Sequence, residues 1–266
     1  MNNKIIINPK WEKSKEEIWN EHFEKLTSKE TTQIQFKAHF GPYIRYIAAA
    51  AIVLIFLIPG IYTRSVVAKK GEHASLQLPD GSLVSLNADS KLTYKPLIWS
   101  IMRSVKMDGE AYFEVKKGSK FTVSTKNGVV KVLGTKFNVL SRGEIFSVSC
   151  ISGRVEVRAD KTVVLEKGTK TFFGMDGKLM IENVPDIQEL ISWKDNIFNF
   201  TEIPLIDVIA EISRQYNITI EYIEINSYIY TGNFSKESSI ESVLNIIALP
   251  FGLKPEKTEN GYKLVR

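Results

Sequence analysis

Cysteine occurs once in 266 residues, at Cys150, so no internal disulfide can form and cysteine usage says nothing about the redox compartment. In "IFSVSC" it shares an alternating face with Phe146 and Val148 and reads as a small core residue. Histidine is almost as scarce. His22, His39 and His73 never fall at metal-ligand spacing, which argues against a histidine metal site. There is no Gly-rich phosphate loop and no G-x-S-x-G elbow. There is no long basic tract either: the net charge of +5 is spread along the chain, as on solvated faces, and no direct nucleic-acid partner is expected.

Carboxylates do cluster, at Asp80 and Asp89 and again at Asp108, Glu110 and Glu114. A glycosidase needs an opposed pair at a defined separation in a cleft, whereas these acids read as turn residues and outward strand positions. A two-carboxylate hydrolase is therefore not expected; apart from a single-turnover self-cleavage, no enzyme activity, cofactor or metal is expected.

What the sequence does contain is an ordinary globular balance, 44% hydrophobic and 24% charged, with one local exception. "YIAAAAIVLIFLIPGIY", Tyr46 to Tyr62, has no charge over 17 residues. As a helix it would be about 25 Å long, enough to cross a bilayer. Tyr43, Tyr46 and Tyr62 stand where an interfacial aromatic belt would lie, and Arg45 and Arg64 can snorkel outward. A secretory signal would sit nearer the N-terminus. A single transmembrane helix over 43–64 is expected, and the flanking lysines and arginines barely decide its orientation.

Three further pieces surround it. In residues 1–42, "SKEEIWNEHFEKLTSKE" has Ser14 and Glu17 at capping-box spacing, and Trp19, Phe23 and Leu26 recur as one apolar helix face. So short a segment has little core, so Trp11 and Trp19 either pack on each other or await a partner. From 65 to 182 the pattern is short alternating runs ("AYFEV", "FTVST", "KFNVL", "RVEVRA") between turn signals such as "PDG", "KNG" and "MDGK". That predicts an all-β, jelly-roll-like domain. In "LPDGSLVSLNADS", Pro79, Asp80 and Gly81 predict a tight turn, with Val84 and Leu86 facing the core and Ser85 and Asn87 facing out.

Residues 183–266 carry a faint repeat of strand, amphipathic helix and strand. The helix faces are Leu205, Val208, Ile209 and Ile212, then Ile240, Val243, Leu244 and Ile247. Pro204 suits a helix start, Ser238 or Ser239 an N-cap, and Gly252 a helix end. A small split βαβ-βαβ α+β domain is expected. One dipeptide has chemistry of its own, Gly134-Thr135 in "KVLGTKFNVL": a threonine hydroxyl can attack the preceding carbonyl in an N-to-O acyl shift, and the plainer alternative is a bulge or bend between strands.

"LPDGSLVSLNADSKLTY", "DGEAYFEV" after Arg103, "FTVST", "VLGTKFNV" and "SGRVEV", followed by "ISWKDNIFNFTEIPLIDVIAEISRQYNITIEY" and "TGNFSKESSIESVLNIIALPFGL", together resemble the FecR family of anti-sigma factors in its Bacteroidetes-type form. The C-terminal part also looks like the short N-terminal domains of secretins and TonB-dependent receptors. The resemblance implies a single-pass inner-membrane protein with its N-terminus in the cytoplasm and its later domains in the periplasm. A TonB-dependent outer-membrane receptor would present a signalling domain to the periplasmic part. The cytoplasmic segment, through Trp11, Trp19, Phe23 and Leu26, would hold an extracytoplasmic-function (ECF) sigma factor. Some relatives cleave themselves at a Gly-Thr bond, and Gly134 and Thr135 occupy the matching place. The alternative function is a membrane-anchored periplasmic glycan-binding protein, which would need Tyr94, Trp99 and Tyr112 as an aromatic platform.

Overall fold

The structure is a computed structural model that describes residues 13–27, 43–174, 176–222, 225 and 227–266. Met1–Ile52 and Val53–Arg266 form separate compact units.

The first unit contains α1 (Lys15–Thr27), and its start is the capping box read from the sequence. The Glu17 amide donates to Ser14 Oγ (3.2 Å) while the Ser14 amide donates to Glu17 Oε2 (3.0 Å), so two otherwise orphaned helix-end donors are satisfied reciprocally. A second helix, α2 (Tyr43–Ile61), covers most of the apolar run. Among the described residues no helix is long and apolar enough to cross a membrane, and the side chains of 54–60 fall outside them. Every side chain of α2 that is described is exposed, including Tyr43, Ile44, Tyr46, Ile47, Ile52 and Val53.

Beyond α2 the second unit contains thirteen strands: β1 (Arg64–Ala68), β2 (Ala74–Gln77), β3 (Leu83–Leu86), β4 (Ser90–Tyr94), β5 (Arg103–Glu114), β6 (Phe121–Ser124), β7 (Val129–Val132), β8 (Lys136–Arg142), β9 (Ile145–Ser152), β10 (Arg154–Arg158), β11 (Thr162–Glu166), β12 (Thr169–Phe173) and β13 (Leu179–Asn183). All belong to one hydrogen-bonded network. The domain is all-β as expected, and β5 links its two halves. The first half of β5 pairs with β4 and, in parallel, with β6; its second half pairs with β3 and β8. The strand turns at Gly109, which has φ 101°, where an added Cβ would lie 2.7 Å from Ser90 Cα. Only glycine lets the backbone bend there and still approach its neighbour. The two halves of the network enclose one core that includes Val84, Leu86, Phe113, Phe121, Phe137 and Cys150. Alternation fails to show this because it assigns a face to each residue without saying that one strand serves two sheet halves.

The turn at Pro79–Gly81 forms as read: Gly81 (φ 78°) donates to the Leu78 carbonyl (2.8 Å), and the Leu78 amide to the Ser82 carbonyl (2.9 Å). Asp80 is more than turn chemistry. It forms an ion pair with the buried Arg103, whose guanidinium also donates to the carbonyls of Ser119 (2.5 Å) and Lys116 (2.9 Å), tying three segments together.

The chain ends in a smaller α+β part: β14 (Ile197–Pro204), α3 (Leu205–Tyr216), β15 (Thr219–Tyr222), β16 (Ile229–Ser235), α4 (Ile240–Ala248), β17 (Lys254–Thr258) and β18 (Gly261–Val265). Of the expected helix faces, Leu205, Val208, Ile209 and Ile212 of α3 and Val243, Leu244 and Ile247 of α4 are buried, and Ile240 at the start of α4 is half-buried. Ser239 caps α4 by accepting from the Ser242 amide (3.2 Å). The order strand–helix–strand occurs twice, as expected, but the strands of each unit do not pair with each other. β14 pairs antiparallel with β16, while β15 pairs parallel with β18, which pairs antiparallel with β17. The units interlock by exchanging strands between two small sheets, and β18 is an extra strand that the repeat did not contain.

Candidate functional sites

The second core draws two residues from the large sheet, Tyr112 on β5 and Ile151 on β9, which pack with Trp193, Leu205, Ile209 and their neighbours. Beside this apolar seam lies a buried polar clasp. Asn87, just past β3, is fully enclosed. Its amide nitrogen donates to Glu110 Oε2 (2.8 Å) and its side-chain oxygen accepts from Gln215 Nε2 (2.7 Å) on α3. Glu110 also accepts from Asn138 (2.8 Å), and Gln215 also donates to Glu211 (2.7 Å), which Arg214 holds through two contacts (3.0 and 2.7 Å). His73 meets Gln215 at 3.2 Å.

Two backbone contacts extend the clasp. The Gly71 amide donates to the Arg214 carbonyl (2.7 Å) at the end of α3, and Lys236 donates to the Gly71 carbonyl (2.6 Å). The Arg214 carbonyl, orphaned near the end of α3, is thus satisfied from the other part of the molecule. From the large-sheet side, Arg142 donates to the carbonyls of Ala88 and Asp89 (both 2.6 Å). A cavity of about 270 Å³ opens beside the clasp, lined by Arg142, Trp193, Phe198, Glu211 and Arg214 among others.

Burial raises the Glu110 carboxyl above its ordinary range, and the nearby Glu211 adds to the rise. Burial pushes Glu211 in the same direction, but Arg214, Gln215 and Arg142 outweigh it and hold Glu211 low. One carboxylate is therefore kept ionised and the other resists ionisation. Burial also lowers the His73 pKa, with Lys236 beside it acting in the same sense.

Neither Asn87 nor Glu110 faces solvent as their strand positions suggested. Their face is the outward one of the sheet, but α3 covers it. No signal in the local alternation distinguishes an outward face open to water from one open to a second domain.

Gly134 and Thr135 form the bend between β7 and β8, next to a register shift in the β8–β9 pairing. A Cβ on Gly134 would meet Lys117 Cα at 2.6 Å, so backbone packing reserves the position for glycine. Thr135 is buried, and its hydroxyl donates to the Arg154 carbonyl (2.9 Å). A groove of about 590 Å³ passes this bend, lined by Lys117, Lys120, Lys131, Leu133 and Arg154.

On α1, Trp19 is 62% exposed and Phe23 44%, and their rings stack at 4.4 Å between centroids. Trp11 lies outside the described residues, as does the side chain of Leu26. Tyr94, Trp99 and Tyr112 are all buried, so the aromatic platform a glycan site required is not formed. Trp99 packs edge-on against Tyr94 and Phe121, and Tyr112 lies under the Lys194 ammonium at 4.0 Å. Cys150 is a core residue whose thiol burial pushes up to about 11. No group of His, Cys, Asp and Glu suited to a metal ion occurs among the described residues.

The described chain is thus a small helix with an exposed aromatic face, followed by a large β network clasped to an α+β part. The family model "FecR protein" matches residues 64–156, and "FecR, C-terminal" matches residues 197–262. Two crystal structures of a Parabacteroides distasonis protein assigned as an anti-sigma factor, at 2.50 and 1.65 Å, superpose with a TM-score of 0.72 and 30% identity. They cover 77% and 76% of this chain and 99% of their own. No curated protein matches. The chain belongs to the FecR family of anti-sigma factors.

Proposed function

We propose that the chain is a single-pass inner-membrane anti-sigma factor that relays a signal from a TonB-dependent outer-membrane receptor to an ECF sigma factor. The observation that carries this reading is the stacked, exposed Trp19–Phe23 pair on a capped helix. Aromatic pairs of this kind are costly to leave in water and are typical anchors of protein interfaces. Residues 1–42 hold the sigma factor in the cytoplasm, with Trp11 and Leu26 extending the contact.

The apolar run is the anchor. Support for it comes from the lack of charge between Tyr46 and Tyr62 and from the exposure of all described α2 side chains. Residues from Thr63 onward are periplasmic and receive the receptor's signalling domain. The protein acts by binding rather than by turnover. The test is to capture partners separately on 1–42 and on 63–266. A small sigma factor retained by the first and the receptor's signalling domain by the second is the expected result; the sigma factor on the second piece alone would contradict it.

Self-cleavage at Gly134–Thr135 is a separate element of the reading. Its support is the close packing of Lys117 beside Gly134 and the Thr135–Arg154 hydrogen bond, since an intramolecular attack needs a fixed geometry. Against it stands the nature of the hydroxyl's acceptor, a carbonyl, which takes up no proton. Immunoblots of wild type and Thr135→Ala decide: two fragments in the wild type that vanish in the variant establish cleavage, and one identical full-length band in both leaves the bend structural.

A further inference from the structure

The β network exposes apolar side chains at several places, and the most exposed of them, Ile101 (88%), lies at the end where the chain enters it. β1 starts at Arg64, opposite Tyr94, so the loop Lys95–Met102 lies beside the chain just after the apolar run ends at Tyr62. That loop exposes Leu97 (57%), Ile101 (88%) and Met102 (54%). It is also firmly built. Trp99 is buried between Tyr94 and Phe121, and the amides of Ile101 and Met102 both donate to the Ile98 carbonyl (3.0 and 2.8 Å). A rigid loop that presents three large apolar groups to water calls for a cover.

The strand registers bring further groups to the same end. Arg103 lies opposite Phe121, which places Lys120 beside Met102, and Phe121 lies opposite Val132, which brings exposed Leu133 there. Exposed Arg64, Lys95 and Lys117 complete a cationic rim, while Asp80 is neutralised by Arg103. Apolar tips within a ring of lysine and arginine match the layering of an anionic bilayer, with acyl chains below and phosphates above. The other end of β1 and β4, at Ala68 and Ser90, leads into the clasp with α3.

We propose that Leu97, Ile101 and Met102 dip into the surface of the bilayer that holds α2, with the cationic rim on its phosphates, so that the domain stands on its own membrane and presents the C-terminal domain away from it. This rests on reading the apolar run as an anchor.

The buried Cys150 leaves the chain without an accessible thiol, so Ile101→Cys and Lys70→Cys each introduce one, the second at the far end of β1. Each full-length variant is labelled with a small fluorophore in vesicles of phosphatidylethanolamine and phosphatidylglycerol. Nitroxide-bearing lipid should quench the label at 101 several-fold more than the label at 70, and aqueous iodide should do the reverse. Equal iodide quenching at both positions overturns the inference. A label at 101 shielded from iodide yet untouched by nitroxide lipid also overturns it, because a protein surface then covers the loop. Alkaline carbonate separates the two levels: a chain washed off the vesicles sinks the anchor and the inference with it, whereas a retained chain with a water-exposed residue 101 sinks the inference alone.

Discussion

Asn87 has both ends of its amide engaged, one on each side of the clasp, and it is fully enclosed. Removing it leaves Gln215 and Glu110 each short of a buried partner. Asn87→Ala is therefore expected to cost about 1–3 kcal/mol, read as a lower denaturation midpoint. Glu110 gives a prediction of opposite sign. Its folded carboxyl binds its proton more tightly than the unfolded chain does, so its ionisation is a cost that appears as pH rises through the raised value. Glu110→Gln should be more stable than wild type at neutral pH, and the gap should close as pH falls toward the ordinary carboxylate range. Asn138, whose Oδ1 is unpartnered, can turn to accept from the new amide. A gap that is constant with pH in denaturation curves would refute the assignment. Both residues were legible as strand positions and illegible as a site, because what covers an outward face is decided by a segment more than a hundred residues away, at Glu211 and Gln215.

Elements with a strong local code emerge as the sequence implies. The Ser14–Glu17 box, the Ser239 cap and the apolar faces of α3 and α4 each depend on residues within one or two helical turns, and each is present. The long strand β5 is different. Its alternation marks it as a strand, but its division between two sheet halves depends on Gly109 meeting Ser90, a contact no local pattern encodes. Gly109→Ala should be strongly destabilising, by about 2 kcal/mol or more, since a Cβ would be both in a disfavoured backbone region and against backbone. Expression of the variant at wild-type stability in a thermal melt would show that β5 can bend without glycine. The strand exchange in the C-terminal part was hidden for the same reason: the repeat shows which segments are strands, and pairing across two units settles which sheet they join.

At the scale of the whole molecule, the large β network and the C-terminal part are joined by an apolar seam at Tyr112 and Ile151 and by the polar clasp, so a partner that docks on one bears on both. Composition and order along the chain sufficed to suggest a protein made of a helix, an apolar run and two folded parts. The FecR and FecR, C-terminal matches establish the family for the latter two. The central claim is that the N-terminal helix holds the sigma factor through its exposed aromatic face. The most direct measurement is the affinity of the ECF sigma factor for the full-length protein in membranes, wild type beside the double variant Trp19→Ala, Phe23→Ala. Loss of two interface anchors predicts weakening of about a hundredfold or more, with thermal unfolding of the later domains unchanged. Equal affinity of the two proteins for the sigma factor would contradict the account.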